Sequence, residues 1–194
     1  MDYSQFLIMR GEISLLLVFL LIFLFDTFGG KKSLKGLSIT ACVLFALHTV
    51  WNIIPVDSAT AFGGMYQTSP IASMVKTVLN IGTLIVLLQS ISWSDIPDVK
   101  LRRGEFYELL LVTLFGMYLM VSSGHFLLFF IGLETASLPM AALIAINKKD
   151  TESYEAGAKY LFTAVFSSAV FLLGLSFLYG VSGSLYFGDI TGAI

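Results

Sequence analysis

Long apolar runs separated by short polar breaks dominate this chain, the pattern of membrane spans rather than of helices half-buried on a soluble core. The stretch LLLVFLLIFLF at 15–25 does not alternate, as a strand of a membrane barrel would. Backbone polar groups in hydrocarbon must be paired within the segment, so each run is predicted to be a helix. Six spans are predicted, at about 12–29, 36–54, 69–91, 105–122, 124–146 and 155–180. The breaks have local causes. Gly29-Gly30 and a lysine cluster end the first span, and Pro55, Asp57 and Gly63-Gly64 end the second. A charged stretch from Ser92 to Arg103, containing Pro97, ends the third. Ser122, Ser123 and Gly124 make a tight turn between the fourth and fifth, and Asn147 to Glu155 is a charged loop.

The basic residues orient these spans, because cytoplasmic loops carry an excess of Lys and Arg. Lys31, Lys32 and Lys35 follow span one, Lys100, Arg102 and Arg103 follow span three, and Lys148 and Lys149 follow span five. The loops after spans two, four and six hold none. Both termini are therefore predicted outside, with three cytoplasmic loops. Arg10 and Glu12 precede the first apolar run, and no small-residue cleavage pattern follows it, so it reads as a retained span rather than a secretory signal.

Composition agrees. Of 194 residues, 57% are hydrophobic and 12% charged, about half the charge of a soluble chain. The net charge of −2, with its cations gathered in loops, offers nothing to nucleic acid. The single cysteine, Cys42, lies in an apolar run and reads as a small packing residue.

Charges inside spans carry the functional information, since each costs at least about 2.5–3.5 kcal/mol in lipid. Three stand out: Glu134, Lys159 and Lys76. Glu134 sits mid-span, roughly 15 Å from either surface, too deep for a glutamate to reach headgroup water. It must face protein, paired or protonated, and both conditions suit a proton relay. Five residues on, Pro139 cannot donate to the Thr135 carbonyl, which loosens the helix beside the glutamate. Lys159 lies about one turn inside span six and roughly 10 Å nearer the cytoplasm than Glu134, so a water-bridged path suits this pair better than a direct bridge. Lys76 lies nearer Glu134 in depth and is a candidate to approach it, with snorkelling as the plainer reading. Asp26, Glu105, Glu108 and Glu12 fall near span ends and read as solvated boundary charges. His48, mid-span, and His125, at the start of span five, read as hydrogen-bonding residues ahead of relays. The chain has no CxxC, no paired haem histidines, no phosphate loop and no nucleophile elbow, so no redox or hydrolytic centre of its own is predicted.

The stretch from Gly104 to Leu185 resembles the subunit N family of bacterial NADH:quinone oxidoreductase, among the antiporter-like subunits of respiratory complex I. The resemblance lies in GEFYELLLVTLFGMYLMVSSGHFLLFFIGLETASLPMAALIA and in YEAGAKYLFTAVFSSAVFLLGLSFLYG with SGSL after it; upstream, FGGMYQTSPIA resembles the family's entry to helix three. It implies an all-α membrane protein, the N-terminal part of a fourteen-helix fold. On that reading 1–104 holds helices one to three, and 105–194 holds the truncated start of the proton-conducting domain. It further implies that Glu134 is the fifth-helix glutamate of the proton path and Lys159 the sixth-helix lysine, coupled to lysines of later helices that this sequence does not reach. The family sits in the bacterial inner membrane beside other complex I membrane subunits. NAD, FMN, iron–sulfur clusters and quinone are expected in partner subunits, and no cofactor in this chain. Alone, the chain is not expected to pump. The alternatives are a subunit of a multisubunit cation/proton antiporter or membrane-bound hydrogenase, and a membrane scaffold in which Glu134 and Lys159 only tie helices together.

Overall fold

The computed structural model describes residues 4–28, 34–93, 102–147 and 149–193. Of the cations used to orient the spans, Lys31, Lys32, Lys100 and Lys148, and the side chain of Lys35, lie outside the described residues. The elements are α1 (Ser4–Ile8), α2 (Arg10–Phe28), α3 (Leu34–Asn52), β1 (Ala59–Ala61), β2 (Tyr66–Thr68), α4 (Pro70–Trp93), α5 (Arg103–Val121), α6 (Phe126–Ile144), α7 (Thr151–Ser182) and α8 (Phe187–Ala193). The six predicted spans correspond to α2 through α7. Five of them are long and apolar enough to cross a membrane, and α3 contributes a shorter apolar stretch, Gly36–Asn52.

Helix α5 is the central element, packing against α2, α3, α4 and α6. Its buried residues Tyr107, Leu111, Leu114 and Tyr118 recur at the four-three spacing that keeps one stripe facing inward. Leu15, Val18 and Ile22 of α2 and Leu37, Ala41 and Phe45 of α3 meet that stripe, and Cys42 is buried among them as a packing residue. The outer faces remain apolar, with Leu17, Val43, Val78 and Phe166 exposed, as lipid-facing positions require.

Small residues set the closest helix approach. A β-carbon on Gly116 would strike the backbone of Gly132, Thr135 and Ala136, and one on Gly132 would meet the Gly116 carbonyl at 2.8 Å. Without a hydrophobic driving force between helices in lipid, such backbone contact is a principal source of association. At the other end of α6, Gly157 of α7 stands where a β-carbon would lie 2.7 Å from the Ala145 side chain.

Helix α7 extends further at both ends than the predicted span. Asp150 caps its start, accepting from the Glu152 amide at 3.0 Å, and Gly183 ends it with φ of 67°. Its 32 residues make a rod of about 48 Å. The loop predicted around Pro55–Gly64 carries more structure than a turn. β1 and β2 pair antiparallel, with Ala59 opposite Thr68 and Ala61 opposite Tyr66. Phe62, Gly63 and Gly64 turn the hairpin with φ of 52°, 66° and 89°. The hairpin then joins the α5–α6 connection, the Gln67 amide donating to the Ser122 carbonyl at 2.7 Å and that of Gly124 to Met65 at 2.8 Å. The Phe126 amide in turn donates to the Leu185 carbonyl at 3.0 Å. One rim of backbone hydrogen bonds thus links three distant stretches of sequence.

Candidate functional site

Among the described residues, two groups of polar side chains gather around carboxylates held by other helices, one on α6 and α7 and one among α2, α3, α4 and α5. The first surrounds Glu134. It sits mid-way along α6, two residues beyond Gly132, so the glycine contact with α5 fixes its height and direction. Its carboxylate oxygen Oε1 accepts a hydrogen bond from the Ser168 hydroxyl of α7. α6 stays helical through Pro139, so the loosening expected there does not break the helix. Beside the glutamate an open groove of about 450 Å³ runs between α6 and α7, lined by Ser137, Tyr160, Thr163, Ser167 and Ser168 together with apolar residues. Thr163 and Ser167 donate to carbonyls of their own helix at 2.8 Å, which leaves hydroxyl lone pairs free to accept from water.

Lys159 is not at the glutamate. Its ammonium pairs with Glu155 at 2.5 Å, one turn back on α7, and both side chains are largely exposed. The structure therefore gives Glu134 and Lys159 separate partners. His125, at the start of α6, is an N-cap: its Nδ1 accepts from the Leu127 amide at 3.0 Å, and its ring meets Tyr186 edge-on.

The second group joins residues far apart in the sequence. Glu12, read as a solvated boundary charge, is 1% exposed, and Lys76 is 8% exposed. Their oxygen and nitrogen lie 2.6 Å apart. Lys76 thus neither approaches Glu134 nor snorkels to the surface. It turns inward from α4 to the start of α2, because a buried carboxylate there is a stronger partner than lipid headgroups a turn or two away. Tyr66 of β2 donates to Glu12 Oε2 at 2.8 Å, and Ser122 reaches Oε1 at 3.5 Å. Burial and the neighbouring Glu12 carboxylate push the Tyr66 phenol well above its ordinary value. The ammonium also lies 5.1 Å from the centre of the Tyr118 ring.

From Tyr118 the network continues deeper. Its hydroxyl donates to Asn80 Oδ1 at 2.7 Å and lies 3.2 Å from His48 Nε2. Nδ1 of His48 faces the Ser14 hydroxyl at 3.0 Å and the Asn52 amide nitrogen at 3.2 Å. A sequence signal for this cluster exists: His48 and Asn52, Lys76 and Asn80, and Tyr118 and Ser122 are each four apart in otherwise apolar helices, so each pair shares a face. At the far end of α2, Gly104 packs so closely on the Asp26 carboxyl that a β-carbon would overlap it. Among the described residues no cluster of His, Cys, Asp and Glu could hold a metal ion.

Over its full length the chain is 47% identical to NADH-quinone oxidoreductase subunit N of Phocaeicola vulgatus, of which it covers 41%. It is 42% identical over 193 residues to the same subunit of Azobacteroides pseudotrichonymphae, covering 40% of it. The chain is homologous to part of NADH-quinone oxidoreductase subunit N. It spans about two fifths of the length of these subunit N relatives. Residues 123–194 also match the family model described as NADH:quinone oxidoreductase/Mrp antiporter, TM. That match begins in the turn before α6, so it takes in Glu134, Ser168 and Lys159 and leaves the Glu12–Lys76 cluster outside. A solved structure of respiratory complex I from Thermus thermophilus with bound aureothin shares the fold, with a TM-score of 0.72 at 24% identity over 92% of this chain and 38% of that one.

Proposed function

We propose that this chain forms part of a proton-translocating membrane subunit of a respiratory NADH:quinone oxidoreductase. The observation that carries the reading is Glu134: a carboxyl mid-way along an apolar helix, bonded to Ser168, which itself borders a largely apolar groove carrying Ser137, Thr163 and Ser167. Such a group gains and loses a proton according to the charge brought near it, because in a low dielectric a nearby cation favours the carboxylate and its withdrawal favours the acid. Ser168 serves both states, donating to the carboxylate and accepting from the acid. Thr163 and Ser167 on the groove leave lone pairs that water can use, while Lys159, nine residues from Ser168 and so on the opposite face of α7, stays with Glu155. Electron transfer from NADH to quinone, with its FMN and iron–sulfur clusters, belongs to partner subunits in this reading. The other membrane subunits cover the apolar outer faces, and the location is the bacterial inner membrane.

Glu134→Gln in a complete homologue, assembled in its complex and reconstituted in liposomes, tests the assignment. The expected result is normal assembly with proton pumping driven by NADH oxidation lost or strongly reduced. Unchanged pumping in the assembled variant overturns it and leaves Glu134 as a tie between helices.

A further inference from the structure

We propose that Glu12, Lys76 and His48 form a second proton-exchanging centre, in which one carboxylate serves two alternative cation positions. It rests on a different part of the molecule from Glu134 and does not depend on that residue's role. In the structure the pair Glu12–Lys76 is complete at 2.6 Å, which is the state with the proton on Lys76 and His48 uncharged.

The hydrogen bonds around His48 favour one tautomer. The Tyr118 hydroxyl is committed as donor to Asn80 Oδ1, so toward His48 Nε2 it can only accept, and Nε2 carries the proton. Nδ1 then accepts from Asn52 or Ser14. The ring is also prepared for a second proton. Both nitrogens face hydroxyl oxygens, Tyr118 on one side and Ser14 on the other, and a hydroxyl accepts as readily as it donates. An imidazolium formed here would have both N–H groups satisfied without moving a helix.

The two cation positions lie on either side of a single side chain. The Lys76 ammonium is 5.1 Å from the Tyr118 ring centre, and His48 bonds the hydroxyl of that same tyrosine. A cavity of about 20 Å³ beside the ammonium is lined by Lys76, Glu12 and Asn52 and has room for one water molecule; Ser14, 3.3 Å from the Asn52 amide nitrogen and 3.0 Å from Nδ1, carries the hydroxyl that can pass a proton on to the ring. The exchange balances in charge. Lys76 gives up one proton and becomes an amine, His48 gains one at Nδ1 and becomes an imidazolium, and the Glu12 carboxylate stays ionised, held by Tyr66 and Ser122. The remaining charged group lining this cavity is Arg10, whose guanidinium donates to the Ile54 carbonyl. Phe45 packs on the imidazole without contributing charge.

The test uses the chain's two histidines. The full chain, with isotope-labelled histidine ring nitrogens, is placed in lipid bilayers and read by solid-state NMR, with Glu12 followed by its carboxyl infrared band. In the unaltered protein at neutral pH, His48 should be neutral with its proton on Nε2. In Lys76→Met the centre keeps its carboxylate and loses its cation, and His48 should appear as an imidazolium at the same pH. Adding Glu12→Gln should return it to neutral. Lys76→Gln, which retains a donor for Glu12, is read in the same way if the methionine variant does not fold. A neutral His48 with a protonated Glu12 in either folded variant overturns the proposal and leaves the cluster as a structural ion pair.

Discussion

Gly116→Ala measures how tightly the central helix pair holds the Glu134 helix in place. The added methyl would meet three backbone atoms of α6, those of Gly132, Thr135 and Ala136, rather than the movable end of a side chain. Nothing can rotate away, so α5 and α6 must separate or slide. Overpacking of a close-packed site costs about 1–3 kcal/mol, and contact with a main chain belongs at the upper end of that range. Gly174→Ala on α7 is the control, because a β-carbon there finds nothing within 4 Å; by helix propensity alone it should stabilise by about 0.5–1 kcal/mol. The assay is reversible unfolding in mixed micelles, followed by far-ultraviolet circular dichroism. Gly132→Ala intrudes on the same gap, so the double variant should cost less than the sum of the single ones. Gly116→Ala within about 0.5 kcal/mol of the parent, or strict additivity with Gly132→Ala, would refute the claim that this contact sets the helix spacing.

Tyr66→Phe removes a hydroxyl that donates to a buried carboxylate and should destabilise by about 1.5–3 kcal/mol, read in the same unfolding assay. The raised Tyr66 phenol also has a pH signature. An unfolded tyrosine releases its proton near pH 10 while the folded one retains it, so stability is unaffected below that pH and falls as pH rises above it. Tyr66→Phe should flatten that alkaline slope, and an identical slope in both proteins would count against the assigned environment. Gly183 ends α7 with a left-handed φ of 67°, so Gly183→Ala should cost about 1–2 kcal/mol and fray the last turn, visible as faster amide exchange there.

Much of the architecture was legible in the sequence, because the apolar runs and their Gly, Pro and charged breaks are local properties. Glu134 could be singled out for the same reason, as a carboxyl in the middle of an unbroken apolar helix needs protein around it whatever the partner. Glu12 reads as a solvated charge in the sequence because its position near a span end says nothing about the hairpin that folds over it. Tyr66 and Ser122 close that end, and they lie 54 and 110 residues away in sequence. The partner of Lys76 is hidden for the same reason: with Glu12 placed in water, Glu134 is the carboxylate left for it. The hairpin itself was hidden because β1 and β2 are three residues each, too short for an alternating pattern to register.

The rim that joins the hairpin to the start of α6 and to the segment after α7 has a mechanical consequence. Helix α7 is anchored at its C-terminal end by the backbone bonds between Leu185 and Phe126 and between Gly124 and Phe187. At its other end the same helix is held by the Ser153 hydroxyl, which donates to the Ile144 carbonyl at 2.7 Å, and by Gly157 seated against Ala145. Pinned near both ends, α7 keeps the Ser168 hydroxyl at a set height against Glu134, and parting the two requires the rod to bend or to leave α6 along its length.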